Sequence, residues 1–421
     1  MKISRKSTEI FVMGVIAFIL SGALQVIFAS GSDLAVEGDA RYEVILTFLY
    51  LGIFIIGMIH FRRTTYGALH TPALMCLLVL AVLSAGWAQF PGEVLRRDIG
   101  LLGASLFGIV VGARLSTEEQ LKLFRWVFRI AAILSLIVVL VDPGFGIMKE
   151  INPGAWRGIY NHKNILGGVM ALAVLIEWLV PSRSTVAKIE KIASLSLYGL
   201  LLVFSDSITS LIAILLTIAV LYAFRIVRRQ YGMPLPLLIV IGLIVGGFIA
   251  ANRETVTGLF GRSSDITGRT ELWSWVVRMI LSRPWFGFGF SGFWKGGSSE
   301  SAFLEKAIGW SPMYSHNGYL EILLSLGLAG FMLFIWFMLV GLKRAVRRAE
   351  TAQSTGDLWP LAFLVYFLFH NFGECTILWQ NSLEWAICVS VIVGAEPRLR
   401  APYESMAQEA EPELMPATEY V

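Results

Sequence analysis

The chain has 421 residues, 56% of them hydrophobic, and its 34 basic and 30 acidic side chains leave a net charge of +4. Only 15% of the residues are charged, against about 25% in an average soluble domain. This composition excludes an ordinary soluble domain and predicts an all-α protein that crosses a membrane many times.

Apolar runs with the length of a membrane span recur along the whole chain. One crossing needs about 20 apolar residues, and about twelve runs reach or approach that length. They are residues 8–30, 42–60, 72–87, 98–113, 123–141, 164–180, 192–204, 207–224, 234–252, 317–342, 359–372 and 380–394. The last two runs are short, and they alternatively pair as a re-entrant hairpin.

The predicted spans divide the chain into four parts. Residues 1–251 contain all predicted helices before the long loop, residues 252–315 form that loop, residues 316–396 hold the remaining helices, and residues 397–421 form an acidic tail. We expect this tail to be disordered. The first run also resembles a signal peptide, but its apolar core is longer than the roughly 7 to 15 residues typical of one. The odd number of cysteines, 3, indicates neither a disulfide framework nor a metal site.

Basic residues in the short loops indicate the orientation of the chain. Cytoplasmic loops are enriched in Lys and Arg, and most loop cations fall on one side of the predicted helices. They are Lys2, Arg5, Lys6, Arg62, Arg63, Arg114, Lys122, Arg183, Lys188, Lys191, Arg225, Arg228, Arg229, Lys343, Arg344, Arg347 and Arg348. We expect that side to be cytoplasmic, with both termini there.

Three segments on the outer side break this charge rule. Arginine offers a planar fork of donors that fits a phosphate, and lysine adds a compact charge. The convergence of such side chains predicts an anion site at the outer face, and a lipid diphosphate fits it. Each cation alone is equally well explained by contact with phospholipid headgroups or by helix capping. The cations concerned are Arg96, Arg97, Arg157, Lys163, Arg253, Arg262, Arg269, Arg278, Arg283, Lys295 and Lys306.

A lipid diphosphate leaves easily only when its growing negative charge is stabilised, which preorganised cations in a water-poor site achieve. Arg157, Lys163 and Arg269 are the candidates for this clamp, and Arg96 and Arg97 lie behind it. Further candidate contacts to the substrate are His162, Asn164 and Arg262. No group of Asp, Glu and His has the spacing of a metal site, so we expect these cations to act where other enzymes use a metal. No cofactor is expected.

The long outer segment contains one helical pattern. Residues 270–281 place Leu272, Trp273, Val276, Val277 and Ile280 on one face, as in an amphipathic helix that lies on a membrane surface. The stretch that follows, SRPWFGFGFSGFW, alternates glycine with aromatic residues. Its rings suit stacking on sugars, although an aromatic belt at the membrane interface is the commoner explanation.

His316 and Asn317 lie at the start of the next predicted helix, and Glu321 follows about one turn later. Neutral histidine takes a proton from an attacking hydroxyl. We therefore predict His316 as the general base, oriented by Asn317 or Glu321. The alternative is that His316 or Asn317 only caps the helix.

The segments RGIYNHKNILGG, GRTELW, PWFGFGFSGFW and HNGYLEILLSLGLAG, in this order, resemble those of the O-antigen ligase and polymerase superfamily. Within it they are most similar to exopolysaccharide polymerases of the ExoQ or Wzy type. The resemblance implies a glycosyltransferase of the bacterial inner membrane with a GT-C-like helical architecture. Its donor and acceptor would be oligosaccharide repeat units on undecaprenyl diphosphate, presented on the periplasmic side. Membrane lipids are further expected partners and nucleic acid is not, whereas binding of a chain-length regulator stays open.

Two other functions remain as alternatives. Lipid A-core ligases resemble one another in an arginine after a serine, where this chain has Asp206 and Ser207 in FSDSITS. This difference favours a polymerase over an O-antigen ligase. The lower alternative is a transporter of lipid-linked sugar, in which Glu177, Glu374 and Glu384 would line a pathway. Transporters keep polar sites near the midplane, whereas the cations here gather at one face.

Overall fold

The computed structural model describes residues 5–23, 40–149, 152–231, 267–294, 300–396 and 399. These residues form helices and loops and contain no β-strand, so the predicted all-α class is confirmed for them. The helices are α1 (Arg5–Leu20), α2 (Ala40–Ile59), α3 (Phe61–Leu69), α4 (Pro72–Leu83), α5 (Pro91–Arg114), α6 (Thr117–Val141), α7 (Pro143–Gly146), α8 (Lys163–Leu179), α9 (Thr185–Phe204), α10 (Ile208–Tyr231), α11 (Thr267–Ser282), α12 (Ser301–Ile308), α13 (Gly318–Glu350), α14 (Trp359–His370) and α15 (Leu383–Gly394).

Two of these helices, α6 and α13, are long and apolar enough to cross a membrane, by length and composition. A third span results if residues 44–59 of α2 and the whole of α3, which meet at 97°, are taken together. Shorter apolar helices cover Pro72–Gly86, Ile208–Phe224 and Leu383–Gly394. About twelve spans therefore stay a prediction. The predicted span 234–252, the first part of the long loop and the acidic tail lie outside the described residues.

α5 and α15 pack with their backbones in close contact. A Cβ atom on Gly108 would lie 2.5 Å from the Ala386 carbonyl oxygen, and one on Gly112 would lie 2.5 Å from that of Ser390. Small residues that let two backbones approach are the usual basis of helix association in membranes. The glycine spacing of α5 therefore fixes where α15 lies.

The helices α14 and α15 form a short hairpin inside the bundle. Each has 12 residues, or about 18 Å, against about 30 Å for the hydrocarbon core of a bilayer. Every residue of α14 is buried. At the tip of the hairpin the backbone N–H of Asn381 donates to the Gly100 carbonyl at 3.4 Å. Gly100 lies about 21 Å along α5 from Arg114, so the tip reaches less than the thickness of the hydrocarbon core from that end of the helix. This geometry supports the re-entrant alternative for the last two predicted runs.

Cations that we expected on the cytoplasmic side meet at one end of the bundle, around the end of α5. Three ion pairs join residues that are far apart in the chain, namely Lys6 with Glu119, Arg114 with Glu9 and Arg344 with Glu396, and a fourth joins Arg348 to the nearby Asp357. Arg96 and Arg97 lie near the other end of α5. The structure thus separates the two predicted groups of cations, while the side that faces the cytoplasm stays a prediction.

The helix α13 is interrupted at Gly327, which has φ 63° and ψ −162°. The break frees two carbonyl oxygens, which accept hydrogen bonds from the aromatic segment, residues 282–294. Phe288 N donates to Leu324 O and Gly289 N to Ser325 O, both at 2.9 Å. Irregular backbone at membrane depth persists only where such groups are satisfied within the protein. The alternating glycines therefore serve the docking of this segment against α13.

The predicted amphipathic helix is present as α11, but part of its apolar face packs against protein instead of the expected membrane surface. Leu272 and Val276 are fully buried in a cluster with Phe288, Phe293 and Trp294. The prediction that this face lies on the membrane surface is therefore wrong for Leu272 and Val276. Their partners are the rings of the aromatic segment, which the helical pattern alone does not reveal.

The burial of these rings also limits which aromatics can meet a sugar. Phe288, Phe293 and Trp294 are in the protein interior, whereas Trp285 and Phe286 are 66% and 54% exposed. Of the described rings in this segment, only the exposed pair is available for stacking or for an interfacial belt.

Candidate active site

A cavity of about 290 Å³ borders the loop at the tip of the α14–α15 hairpin. This volume is near the lower end of small-ligand pockets, about 300 to 1,000 Å³. Its wall includes a largely apolar group: Leu20, Tyr42, Leu46, Phe128, Val169 and Leu172. Its polar residues come mainly from the outer part of α5, the start of α8 and the loop between α14 and α15. The cavity suits a ligand with an apolar part and a charged or hydroxylated part.

Four of the predicted site residues line this cavity: Arg96, Arg97, His162 and Asn164. Six others lie outside its wall, namely Arg157, Lys163, Arg269, His316, Asn317 and Glu321. Arg262 lies outside the described residues.

His162 is the point at which the predicted clamp residues converge. It is the N-cap of α8, and its Nδ1 accepts a hydrogen bond from the Asn164 backbone N–H at 3.2 Å. Burial, and then the positive charges of Lys163, Arg269 and Arg157, lower the pKa of His162 to about 4. The imidazole is therefore neutral near pH 7 and carries its proton on Nε2. Three cations from two segments, residues 157–163 before and at the start of α8 and Arg269 in α11, therefore act on a neutral side chain in the cavity wall.

Backbone carbonyls orient two of these cations. Arg157 Nε donates to Phe145 O at 2.7 Å, and its guanidinium lies 4.9 Å from the centre of the Phe145 ring. Arg269 Nη1 donates to Gly373 O at 3.1 Å. A guanidinium has five N–H donors in a fixed plane. These contacts fix the direction of each guanidinium.

Lys163 is held by Asp206, the residue that departs from the ligase pattern. Lys163 Nζ donates to the Asp206 carboxylate and to its carbonyl, each at 3.2 Å. Asp206 has a positive φ of 57°, a conformation that costs energy for any residue with a side chain. The FSDSITS stretch thus contributes a lysine partner to the site.

Loops at the cavity end hold all the non-glycine residues with positive φ that the described part of the chain contains. They are Asp206, Ser291, His316, Leu378 and Asn381. Such backbone strain persists only where the surrounding structure enforces it, and it gathers at functional sites.

Glu374 connects the start of α8 with α11. Its Oε1 accepts a hydrogen bond from Asn164 Nδ2 at 2.7 Å and lies 4.0 Å from Arg269 Nη2. The residue lines the cavity. Sequence reasoning considered Glu374 only for a transport pathway. Its contacts could not be read from the sequence, because Asn164 and Arg269 lie 210 and about 105 positions earlier in the chain.

The floor of the cavity contains a pair of residues that sequence reasoning did not combine. His370 Nδ1 donates to Glu384 Oε2 at 3.0 Å, and both side chains line the cavity. His370 itself was not predicted as a site residue. The available signal was a histidine within the apolar run 359–372, since ionisable residues inside membrane segments usually have a function.

Asn317 is the N-cap of α13. Its side chain accepts hydrogen bonds from the backbone N–H groups of Tyr319 and Leu320 at 3.0 and 3.1 Å. The capping alternative is therefore confirmed for Asn317. His316 precedes the cap with a φ of 53°, so the capping alternative is wrong for His316. Its ring centre lies 4.2 Å from that of Tyr314, a cavity residue.

Glu321 joins two loops at the outer side. Its carboxylate accepts hydrogen bonds from Trp294 Nε1 at 2.9 Å and from Ser315 N at 2.8 Å. These bonds fix the chain just before His316 and attach it to the end of the aromatic segment. Glu321 thus orients the backbone next to His316 by holding Ser315.

The three acidic residues of the transport alternative separate in the structure. Glu374 and Glu384 line the cavity. Glu177 is fully buried elsewhere and accepts hydrogen bonds from Arg125 and Arg129. A carboxylate paired with two arginines is neutralised within the protein, so the three residues do not form one pathway.

Residues 193–335 match the model of the O-antigen ligase family. These residues include Asp206, Arg269, His316 and Glu321. The chain is also 23% identical over 346 residues to the exopolysaccharide production protein ExoQ of Rhizobium meliloti (strain 1021). This alignment covers 75% of this chain and 76% of that protein. The resemblance inferred from the motifs is confirmed. The family and the apolar helices support a membrane protein with a role in glycosyl transfer for polysaccharide synthesis.

Proposed function

We propose that the protein is a polysaccharide polymerase of the bacterial inner membrane that joins oligosaccharide repeat units carried on undecaprenyl diphosphate. The observation that carries this proposal is the convergence of Arg157, Lys163 and Arg269 on neutral His162 in the cavity wall. Three positive charges in a partly buried site favour a multiply charged anion. The diphosphate of a lipid-linked sugar is such an anion, and it is presented at the periplasmic face.

The cations act on the leaving group. In the reaction, a hydroxyl of the acceptor glycan attacks the anomeric carbon of the donor, and the bond from that carbon to the diphosphate oxygen breaks. Negative charge then grows on the diphosphate, and Arg157, Lys163 and Arg269 stabilise it without having to reorient. His162 adds its Nε2–H as a neutral donor to a phosphate oxygen.

His316 takes the proton of the attacking hydroxyl in this proposal. It lies against Tyr314 in the cavity wall, and Glu321 holds the neighbouring Ser315. The imidazole has no capping task, because Asn317 caps α13. Asn317 and Glu321 thus place the histidine and take no part in the chemistry.

The apolar wall of the cavity suits the lipid carrier. Leu20 ends α1, Tyr42 and Leu46 lie in the first half of α2, and all three line the same cavity as Arg96 and Arg97. A polyprenyl chain on this side would place its diphosphate next to the cations. Arg97 is itself directed by a hydrogen bond from Nη1 to Ser291 O at 2.7 Å.

An O-antigen ligase is the second candidate, because the matching family model carries that description. The two functions differ in the acceptor: another lipid-linked repeat unit for a polymerase, and lipid A-core for a ligase. Similarity to an exopolysaccharide production protein and the presence of Asp206 favour the polymerase.

The test uses the purified full-length protein in detergent, without nucleotide sugar or added metal. It is incubated with lipid-linked repeat units from cells that lack it, with or without lipid A-core, and the products are separated by gel. A ladder of multiple repeats without lipid A-core supports the polymerase. A single addition that requires lipid A-core supports the ligase, and the absence of any transfer in both mixtures contradicts the proposal.

A further inference from the structure

The pair His370 and Glu384 on the cavity floor is not used by the reaction described above. Four helices supply its surroundings: α8, α10, α14 and α15. His370 is 2% exposed, and α14 is otherwise almost entirely apolar. Buried polar groups in an apolar interior cost free energy unless they are satisfied. A pair maintained in this position therefore has a task in the cavity.

The orientation of the imidazole is fixed on both nitrogens. Nδ1–H donates to Glu384 Oε2 at 3.0 Å, and Nε2 lies 3.3 Å from the Ser210 hydroxyl. Ser210 is in turn 2.9 Å from the Ser207 hydroxyl, and both serines are buried. The ring of Tyr366 stacks on His370 with 5.1 Å between ring centres. Because both ring nitrogens are engaged, His370 acts on a ligand only through Glu384.

The carboxylate of Glu384 has one oxygen left for the cavity. Oε2 accepts from His370, whereas Oε1 makes no hydrogen bond to the described residues. The side chain is 12% exposed and lines the cavity. Space for Oε1 depends on Gly168, where a Cβ atom would lie 3.2 Å from Glu384 Oε1 and 3.1 Å from His370 Cε1.

The neighbours of Glu384 in the cavity wall have the chemistry of a carbohydrate site. Amide and hydroxyl side chains follow one another in the loop between α14 and α15, together with one indole ring. They are Thr376, Trp379, Gln380, Asn381 and Ser382. The cations in the wall are Arg96 and Arg97 at the start of α5, and the three cations near His162 lie outside it. The floor therefore suits neutral hydroxyl groups, and the cationic wall suits the diphosphate.

We infer that Glu384 is a binding residue for a hydroxyl group of the glycan, and that His370 is its positioning residue. This inference rests on the proposed function, since it assumes that a glycan enters the cavity. Oε1 accepts a hydrogen bond from the sugar hydroxyl, while the bond from His370 to Oε2 prevents the carboxylate from turning away. The loop between α14 and α15 then contributes to the choice of sugar.

The experiment compares variants of the full-length protein in detergent by two measurements. Binding of undecaprenyl diphosphate reports the cationic wall, and transfer at varied concentrations of extracted lipid-linked repeat units reports the whole site. Glu384→Gln places an amide where the carboxylate accepted, and Gly168→Ala displaces the carboxylate without changing its charge. Matched controls are Glu118→Gln, whose side chain is 77% exposed, and Gly199→Ala, where a Cβ atom meets nothing within 4 Å.

We expect both site variants to bind undecaprenyl diphosphate like the parent and to lose about 10- to 100-fold in kcat/KM for transfer, mainly through a higher KM. The controls keep parental values. His370→Gln shows a similar loss, and Glu384→Gln combined with His370→Gln is no worse than Glu384→Gln alone, because the histidine acts through the carboxylate.

Parental transfer by either Glu384→Gln or Gly168→Ala overturns the inference. Losses from Glu384→Gln and His370→Gln that add in the double variant also overturn it, since they indicate two independent structural effects. If the parent itself neither binds undecaprenyl diphosphate nor transfers sugar, the proposed function fails. If the parent and the site variants are equally active, only the inference about Glu384 fails.

Discussion

Basic side chains form one cluster near each end of α8, and the two clusters differ in the residue around which they gather. Near its C-terminal end, Arg125 and Arg129 surround Glu177, a fully buried carboxylate. At its N-terminal end, three cations surround His162, which is neutral. Cations gathered around an internal anion are satisfied within the fold. The cations near His162 also have acidic neighbours, Asp206 for Lys163 and Glu374 for Arg269, but they lie next to a cavity that an anion can enter, so the comparison contrasts a structural cluster with a proposed binding cluster.

The largest effect should come from removing the proposed proton acceptor, His316. His316→Asn removes the imidazole but keeps the backbone, because asparagine tolerates positive φ. We expect polymer formation to fall by about 10² to 10⁴-fold, the range of general base catalysis. Binding of undecaprenyl diphosphate should be unchanged. Rates are measured with extracted lipid-linked repeat units, and an active His316→Asn variant would falsify the assignment of the base.

Glu177→Ala tests the structural cluster. It leaves Arg125 and Arg129 without their buried counter-charge, a change that typically costs about 3 to 5 kcal/mol. We expect a lower melting temperature in detergent and less protein in the membrane. The control is Glu190→Ala, whose side chain is 54% exposed and lies 3.7 Å from Arg129. A stable, abundant Glu177→Ala protein without activity would instead place Glu177 in the binding function.

Arg157→Ala and Arg269→Ala test the binding cluster. Each should lower polymer formation by about 10² to 10³-fold, as the loss of one charge-stabilising donor does in other enzymes. Both proteins should remain in the membrane at parental amounts, unlike Glu177→Ala. Lysine at either position should restore only part of the activity, since it lacks the bidentate fork. Arg183→Ala, an exposed arginine, is the matched control, and near-normal polymer in both site variants rules out the clamp.

The sequence predicts the binding cluster better than the cavity in which it acts. Arg157, Lys163 and Arg269 stand out because they break the charge rule for outer loops, and the motifs around them carry the family resemblance. The His370–Glu384 pair depends on Ser210, 160 residues before the histidine, and no local pattern encodes that contact. The depth of the α14–α15 hairpin likewise depends on glycines of α5, whose spacing is readable but whose partner is not.

Sequence periodicity also explains the partial success on the long loop. The apolar spacing in residues 270–281 defines a helix and its buried face, and α11 is present. Periodicity does not tell whether that face meets lipid or protein. The deciding feature is the break of α13 at Gly327, which accepts the backbone of the aromatic segment and brings Phe288 and Phe293 onto Leu272. Such a break becomes visible only in the folded chain.

The smallest effect concerns His162 and the pH dependence of stability. Its pKa is about 4 in the folded protein, below the roughly 6.5 of an unfolded histidine. The unfolded chain therefore binds the proton first as the pH falls, and stability is lost between about pH 6.5 and 4. At pH 5 the loss from this residue amounts to about 1 to 2 kcal/mol.

His162→Asn isolates this contribution, because asparagine caps a helix well and does not titrate. We expect the melting temperature of the parent to fall more between pH 7 and pH 5 than that of His162→Asn, while both are similar at pH 7. Activity at pH 7 should drop by less than about tenfold, since one neutral donor to the diphosphate is lost and the three cations remain. An identical pH dependence in the two proteins would mean that burial and the neighbouring cations do not hold His162 neutral, and the contrast between the two ends of α8 would lose its basis.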